Sequence, residues 1–229
     1  MYMPFFDPTM LLLIPVFIFA LWAQAKVKSA FNKWSRVPTS QGITGAAMAK
    51  MILEKYGLYK IPVKETEGEL TDNYNPVNKT LNLSESVYSS DSVAAVGIAA
   101  HEAGHAIQHN KGYFPLAVRN AIYPVANIGS TLAFPLFFIG LIFGYNKFLM
   151  DLGIWLFIGF TAFTVITLPV EFDASRRAVV LLKNSGYFTT EEIAGVKEVL
   201  NAAALTYVAA VLSALVNLIR LLLIRGSDD

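Results

Sequence analysis

Residues 121–170 read AIYPVANIGSTLAFPLFFIGLIFGYNKFLMDLGIWLFIGFTAFTVITLPV. Within this stretch, residues 121–144 and 152–170 carry no charged side chain, and Lys147 and Asp151 lie in the short linker between them. An α-helix needs roughly 20 apolar residues to cross the hydrocarbon core of a bilayer, so each run is long enough for one span. In lipid the backbone must satisfy its own hydrogen bonds, which makes each run a helix. A linker this short returns the chain directly. The two runs therefore predict a helical hairpin whose outer ends share one side of the membrane.

Working outward, two further apolar runs flank the hairpin. Residues 8–25 are uncharged, and Ala23-Gln24-Ala25 resembles a signal-peptide cleavage site. No basic residue precedes the run, however, so it reads as an uncleaved anchor. Residues 202–219 form the last run, followed by Arg220 and Arg225. Composition agrees with a membrane protein: 55% of residues are hydrophobic and 15% charged, against roughly 45–50% and 25% in soluble chains. The net charge of +1 and the lack of a basic, aromatic-interleaved patch argue against a nucleic-acid partner. With no cysteine, disulfides and thiolate metal sites are excluded. No internal repeat or low-complexity tract is present.

These runs divide the chain into an N-terminal anchor (1–25), a soluble α+β part (26–120), the hairpin (121–170), a helical segment (171–200) and a C-terminal span (201–229). In the soluble part, residues 44–56 have helical character and Gly57 is a plausible C-cap. Strand-like pieces follow at 59–66, 70–74 and 79–83, punctuated by Gly68 and Asn75-Pro76. Ser90 or Asp91 is expected to cap a helix running to about His109. The 171–199 stretch reads as a helix, a break at Gly186 and another helix.

Lysine and arginine placement orients the spans. Fifteen of the 18 lie in 26–119 and 171–199, the two stretches the hairpin puts on one side. Lys26, Lys28, Lys33 and Arg36 follow the first span and none precedes it. By the positive-inside rule that side is cytoplasmic. The expectation is a multi-pass plasma-membrane protein with the lipid bilayer as its surroundings and its polar domain in the cytoplasm.

All three histidines, His101, His105 and His109, fall within nine residues. His101-Glu102-Ala103-Gly104-His105 is an H-E-x-x-H sequence. On a helix, residues four apart share a face, so both imidazoles can reach one zinc ion, and Glu102 can take a proton from water held there. The pattern also arises by chance on ordinary helices. Small apolar residues at 93–100 suit a buried catalytic helix, and Gly104 is expected to leave open space beside the metal. His109 stands about 12 Å from His101 along a straight helix, too far to share a tetrahedral site. The hairpin supplies a better third ligand, because Glu171 emerges on the same side of the membrane as His101, at the start of a helix. Asp173 is the rival, or else an orienting partner for a histidine ring.

Asp72-Asn73-Tyr74-Asn75-Pro76, Leu81-Asn82-Leu83-Ser84, residues 97–108 and residues 169–178 together resemble the YugP-type family of bacterial zinc-dependent membrane peptidases. The likeness is more distant to the CAAX-prenyl and heat-shock membrane proteases, whose E-x-x-A-D segment supplies a zinc-binding glutamate. The resemblance implies a membrane α-helical protein of about four spans with a small α+β zincin-like metallopeptidase domain. It implies Zn2+ held by His101, His105 and Glu171, with Glu102 as general base and a peptide or protein substrate. Ala174 matches the alanine of that segment, whereas Ser175 stands in place of its aspartate, and Asp173 is a substitute. In such peptidases substrate pairs with an edge strand, here sought in residues 70–83 around Leu70, Asn73, Asn75 and Leu81. Tyr74, Arg176 and Arg177 are the candidates to meet a developing oxyanion.

Other classes fit less well. An intramembrane protease would carry the motif inside a span and take an aspartate from a Leu-Asp-Gly segment. The nearest approximation, Met150-Asp151-Leu152-Gly153, falls on the opposite side of the membrane. A zinc transporter would also bury its histidines within a span, yet the apolar run before His101 is too short. A catalytically inactive zinc-binding membrane adaptor is the alternative, and the intact Glu102 argues against it.

Overall fold

A computed structural model describes residues 8–226 of the chain. A 3-10 turn (Pro8–Leu12) leads into α1 (Leu13–Trp34). Then follow α2 (Gly45–Lys55), β1 (Val63–Thr66), β2 (Asn73–Asn75), β3 (Thr80–Ser84), α3 (Glu85–Tyr88) and α4 (Val93–Asn110). Three long helices complete the chain: α5 (Phe114–Ile142), α6 (Lys147–Lys183) and α7 (Thr190–Gly226). Four segments are long and apolar enough to cross a membrane, namely Pro8–Trp34, α5, α6 and α7. The protein is mainly helical, with candidate membrane spans and one small sheet.

Two compact units emerge. The first takes in Ala117–Pro169 together with chain up to Ala23 and from Leu205. Its hairpin is antiparallel, as the glycine contacts show. A Cβ on Gly140 would meet the Met150 backbone N at 2.9 Å, one on Gly153 would meet Ala133 O at 2.7 Å, and one on Gly129 would meet Leu156 O. As one helix descends in number the other ascends. Bare glycine backbones let the two helices touch, the packing that stabilises helices in lipid, where no hydrophobic drive remains. Leu221 of α7 joins Phe137, Met150 and Ile154 in the buried cluster of this unit. Arg225 Nε donates to Asp151 Oδ1 at 2.8 Å, tying α7 to α6.

The second unit comprises Gln24–Leu116 and Val170–Ala204. Helix α4 is its centre, with fourteen of its eighteen residues buried. The alanines at 94, 95, 99, 100, 103 and 106 explain this, since a helix of small side chains can be approached closely from all sides. Met48, Ile52 and Leu53 of α2, Leu81 and Leu83 of β3, and Leu182 and Val196 of α6 and α7 share its core. The sheet order is β1-β3-β2. β1 runs parallel to β3 with Val63 opposite Leu81, and β2 runs antiparallel to it with Tyr74 opposite Leu81.

Three sequence expectations change here. The cap of α4 is Ser92, whose Oγ accepts from Ala95 N at 3.2 Å, and Ser90 instead donates its hydroxyl to Ser92 Oγ. Glu171 lies in the middle of α6 rather than at the start of a helix. Pro169 does not end that helix, because it removes one hydrogen bond whereas a break in an apolar setting would strand several. Finally, Leu81 sits in the central strand and is fully buried, so among the residues considered for substrate pairing only Asn73 and Asn75 lie on a sheet edge.

Candidate metal centre

Helix α4 carries His101 and His105 one turn apart, with their Nε2 atoms converging to 3.1 Å. The rings meet edge to face, 4.7 Å between centroids. From α6, Glu171 brings its Oε2 to 3.3 Å from His101 Nε2 and 3.6 Å from His105 Nε2. Gly104 makes this meeting possible, though not by leaving space as its lack of a side chain suggested. A Cβ there would lie 3.0 Å from Ala174 O, so glycine lets α4 and α6 approach until the glutamate reaches the histidines.

The three atoms fit a metal ion. Glu171 is buried, 3% exposed, and its Oε2 has no hydrogen-bond partner. Leaving a buried carboxylate oxygen unpaired is expensive. A tetrahedral ion with bonds of about 2.0–2.1 Å separates its ligand atoms by roughly 3.3–3.4 Å, close to the spacings observed. His101, His105 and Glu171 could thus hold a metal together.

The hydrogen bonds behind the rings fix which nitrogens face the centre. Gln108, three residues after His105 and fully buried, donates its Nε2 to Val170 O at 2.8 Å and to Asp173 Oδ2 at 2.9 Å. Both of those partners only accept, so the amide orientation is determined and its Oε1 faces His105 Nδ1 at 3.0 Å. Nδ1 of His105 must then carry the proton, which leaves Nε2 with a lone pair for a metal. His101 Nδ1 lies 3.1 Å from Ser175 Oγ. The serine therefore occupies the place of the missing aspartate and keeps contact with a ring, while Asp173 acts on His105 through Gln108. Neither Gln108 nor Ser175 stood out as a site residue in the sequence. The available signal for Gln108 was its i+3 position on the histidine face. Truncating Gln108 or Asp173 to alanine is expected to weaken metal affinity by roughly 10–100-fold while retaining the site, measurable by competition with a chromophoric chelator.

Glu102 is 8% exposed, and Tyr74 N donates to its Oε2 at 2.9 Å. Burial pushes the Glu102 carboxyl up, against the opposing pull of His101 and His105. A carboxylate with a raised pKa is a stronger proton acceptor. Tyr74 lies on β2, and its N–H is spent on Glu102 along the strand edge facing α4. The Tyr74 hydroxyl pairs with His109 Nδ1 at 2.9 Å. His109 is thus outside the group of converging ligand atoms, and burial pushes the Tyr74 phenol up, so it keeps its proton.

The remaining candidates are placed as follows. Arg176 Nη2 binds Asp173 Oδ1 at 2.8 Å, and Arg177 Nε binds Asp173 Oδ2. Both guanidinium groups brace the residue that braces Gln108. Leu70, with φ of 54°, lies in the turn before β2 and is half exposed. Asn73 Oδ1 accepts from Asn82 Nδ2 at 3.0 Å across the sheet, and Asn75 Oδ1 accepts from Val77 N at 2.9 Å to close the turn into β3.

Comparison with known proteins gives the chain a family. Residues 9–226 match the family described as "Putative neutral zinc metallopeptidase". The chain is 46% identical over 212 residues to the "Putative membrane protease YugP" of Bacillus subtilis (strain 168), covering 92% of this chain and 94% of that one. No solved structure matches it. Two helices that bring two histidines and a glutamate to one point, in a chain matched from its first described span to its last, make this protein a member of that zinc metallopeptidase family.

Proposed function

We propose that the protein is an integral-membrane zinc endopeptidase that hydrolyses peptide bonds of membrane or misfolded proteins on the cytoplasmic face of the plasma membrane. The convergence of His101 Nε2, His105 Nε2 and the unpartnered Glu171 Oε2 carries this reading. Zinc held there would supply a Lewis acid that lowers the pKa of water and polarises the scissile carbonyl. Glu102, next to His101 on α4, would take a proton from the attacking water and pass it to the leaving amine. Its contact with Tyr74 N keeps the carboxylate oriented until substrate arrives.

β2 offers the substrate an edge. Its Tyr74 N–H points away from β3, so an extended peptide laid along Asn73–Asn75 would take over that donor and release Glu102 to the reacting water. For the oxyanion, Tyr74 is favoured, because its backbone already contacts Glu102, whereas Arg176 and Arg177 are turned away from Glu171 around α6.

The direct test is cleavage of an unfolded protein substrate in detergent, paired with metal analysis. Activity should disappear on chelation, return with zinc, and track zinc content at about one ion per chain. Cleavage that persists in the metal-free protein would remove the reading and favour an inactive adaptor.

Sidedness follows from the charge distribution and is tested separately. The chain has no cysteine, so single introduced ones report cleanly. A cysteine at Ser89 should be protected from an impermeant thiol reagent in intact cells, and one at Asn146 should label. The opposite pattern would invert the topology.

A further inference from the structure

A cavity of about 220 Å³ lies behind the metal centre, lined by Tyr56, Ile107, Arg176, Arg177, Val180 and Leu181. Ile107 and Leu181 form a buried apolar floor, and Val180 is half exposed. Two guanidinium groups stand at its wall, Arg176 with 76% and Arg177 with 25% of the side chain exposed. Lys111 Nζ adds a third cation, 5.4 Å from the Tyr56 ring centroid. Asp173 is the carboxylate paired with both arginines, so the cavity wall carries a surplus of positive charge beside an apolar floor.

Helix phase shows that this cavity is not where a peptide meets the metal. At about 100° per residue, Arg176, Arg177 and Val180 are turned roughly 140–240° from Glu171 around α6. The centre faces one side of the helix and the cavity the other. Position along the chain adds a second constraint. Arg176 and Arg177 fall six and seven residues after Val170, the end of the third uncharged run, or about 9–10 Å along a helix. Basic side chains this near the end of a span are drawn to anionic lipid headgroups, an attraction that fades over a Debye length of about 8–10 Å.

We propose that this cavity binds the headgroup and upper acyl chain of an acidic phospholipid, and that the bound lipid steadies the metal centre. The inference rests on the reading of the chain as a membrane zinc peptidase. A phosphodiester oxygen pairs with the two guanidinium groups bidentately, and the first methylenes lie on Ile107, Val180 and Leu181. The coupling runs through contacts already in place. Asp173 shares its charge with both arginines and receives Gln108 Nε2, and Gln108 Oε1 receives His105 Nδ1. As the lipid draws on the guanidinium donors, Asp173 polarises Gln108 more strongly. His105 Nδ1–H then becomes a better donor and its Nε2 a stronger ligand.

Zinc-loaded protein in nanodiscs of phosphatidylcholine, with or without phosphatidylglycerol, tests this by the rate of zinc transfer to a chromophoric chelator. Phosphatidylglycerol should slow the transfer about three- to tenfold, toward the lower end of what partners behind a ligand achieve. Val180→Trp, which fills the cavity and leaves every polar contact intact, should abolish the slowing while matching wild type in phosphatidylcholine. Native mass spectrometry should find one more phosphatidylglycerol on wild type than on this variant. Should Val180→Trp fail to fold, Val180→Phe serves, a smaller filling of the cavity at the same half-exposed position. Equal rates in the two lipids, or a full response in the filled variant, overturn the proposal. So does inorganic phosphate reproducing the effect in phosphatidylcholine discs, which would mark a free-anion site. Absence of cleavage by zinc-loaded protein would sink the peptidase reading instead, and leaves the zinc-transfer comparison legible in its own right.

Discussion

Glu171→Ala is expected to yield protein that purifies without zinc and without peptidase activity. Glu171 supplies the one ligand atom not on α4, and its buried Oε2 has no other partner. With it gone, two imidazoles remain on one helix face, a set too small for a catalytic zinc site with three protein ligands. The loss should match that of His105→Ala and exceed the roughly 10–100-fold expected for changes one shell out. Metal content after purification, with His105→Ala as the reference, decides the matter. Asp173→Ala should retain zinc at reduced affinity, and His109→Ala should retain it nearly unchanged, because that ring is engaged by Tyr74. A zinc-loaded Glu171→Ala beside a metal-free Asp173→Ala would move the ligand two residues along α6.

Glu102→Gln is expected to keep the metal and lose turnover by roughly 10²–10⁴-fold, the range for removing a general base. The amide preserves shape and can still accept from Tyr74 N through its oxygen, so the local structure has no reason to shift. It cannot accept a proton from water. The two variants thus separate binding from chemistry: the first lacks zinc and activity, the second only activity. Near wild-type turnover in zinc-loaded Glu102→Gln would place the base elsewhere.

These expectations draw on two kinds of information. Local pattern disclosed the spans, since 121–144 and 152–170 are uncharged over the length that lipid demands, and α5 and α6 follow. It disclosed His101 and His105, because a spacing of four on a helix is a statement about one face. Topology alone then reached Glu171: a hairpin returns the chain to the side it left.

Other features depend on elements far apart in sequence. Ser92 caps α4 in place of its neighbours because the tertiary course of the chain, with Thr39 N bonded to Asp91 O and Val93 N to Val37 O, sets where the helix begins. Ser175, which the motif comparison marked as a departure, proves to face His101 Nδ1. A hydroxyl can replace a carboxylate there only if the helices are close enough, and no single segment specifies that distance.

The sequence by itself disclosed the four candidate spans, the H-E-x-x-H pair and the glutamate at 171 that joins it, because each rests on a period, a length or a crossing count. Only the tertiary structure decided that Gly104 is a contact point against Ala174 and that Gln108 links His105 to Asp173. It also decided that β2 lies at an edge of the sheet and β3 at its centre, and that the arginines are held by Asp173. The physical reason is common to all four. They depend on how closely and at what rotation two separately encoded elements meet, and that is fixed by packing across the core.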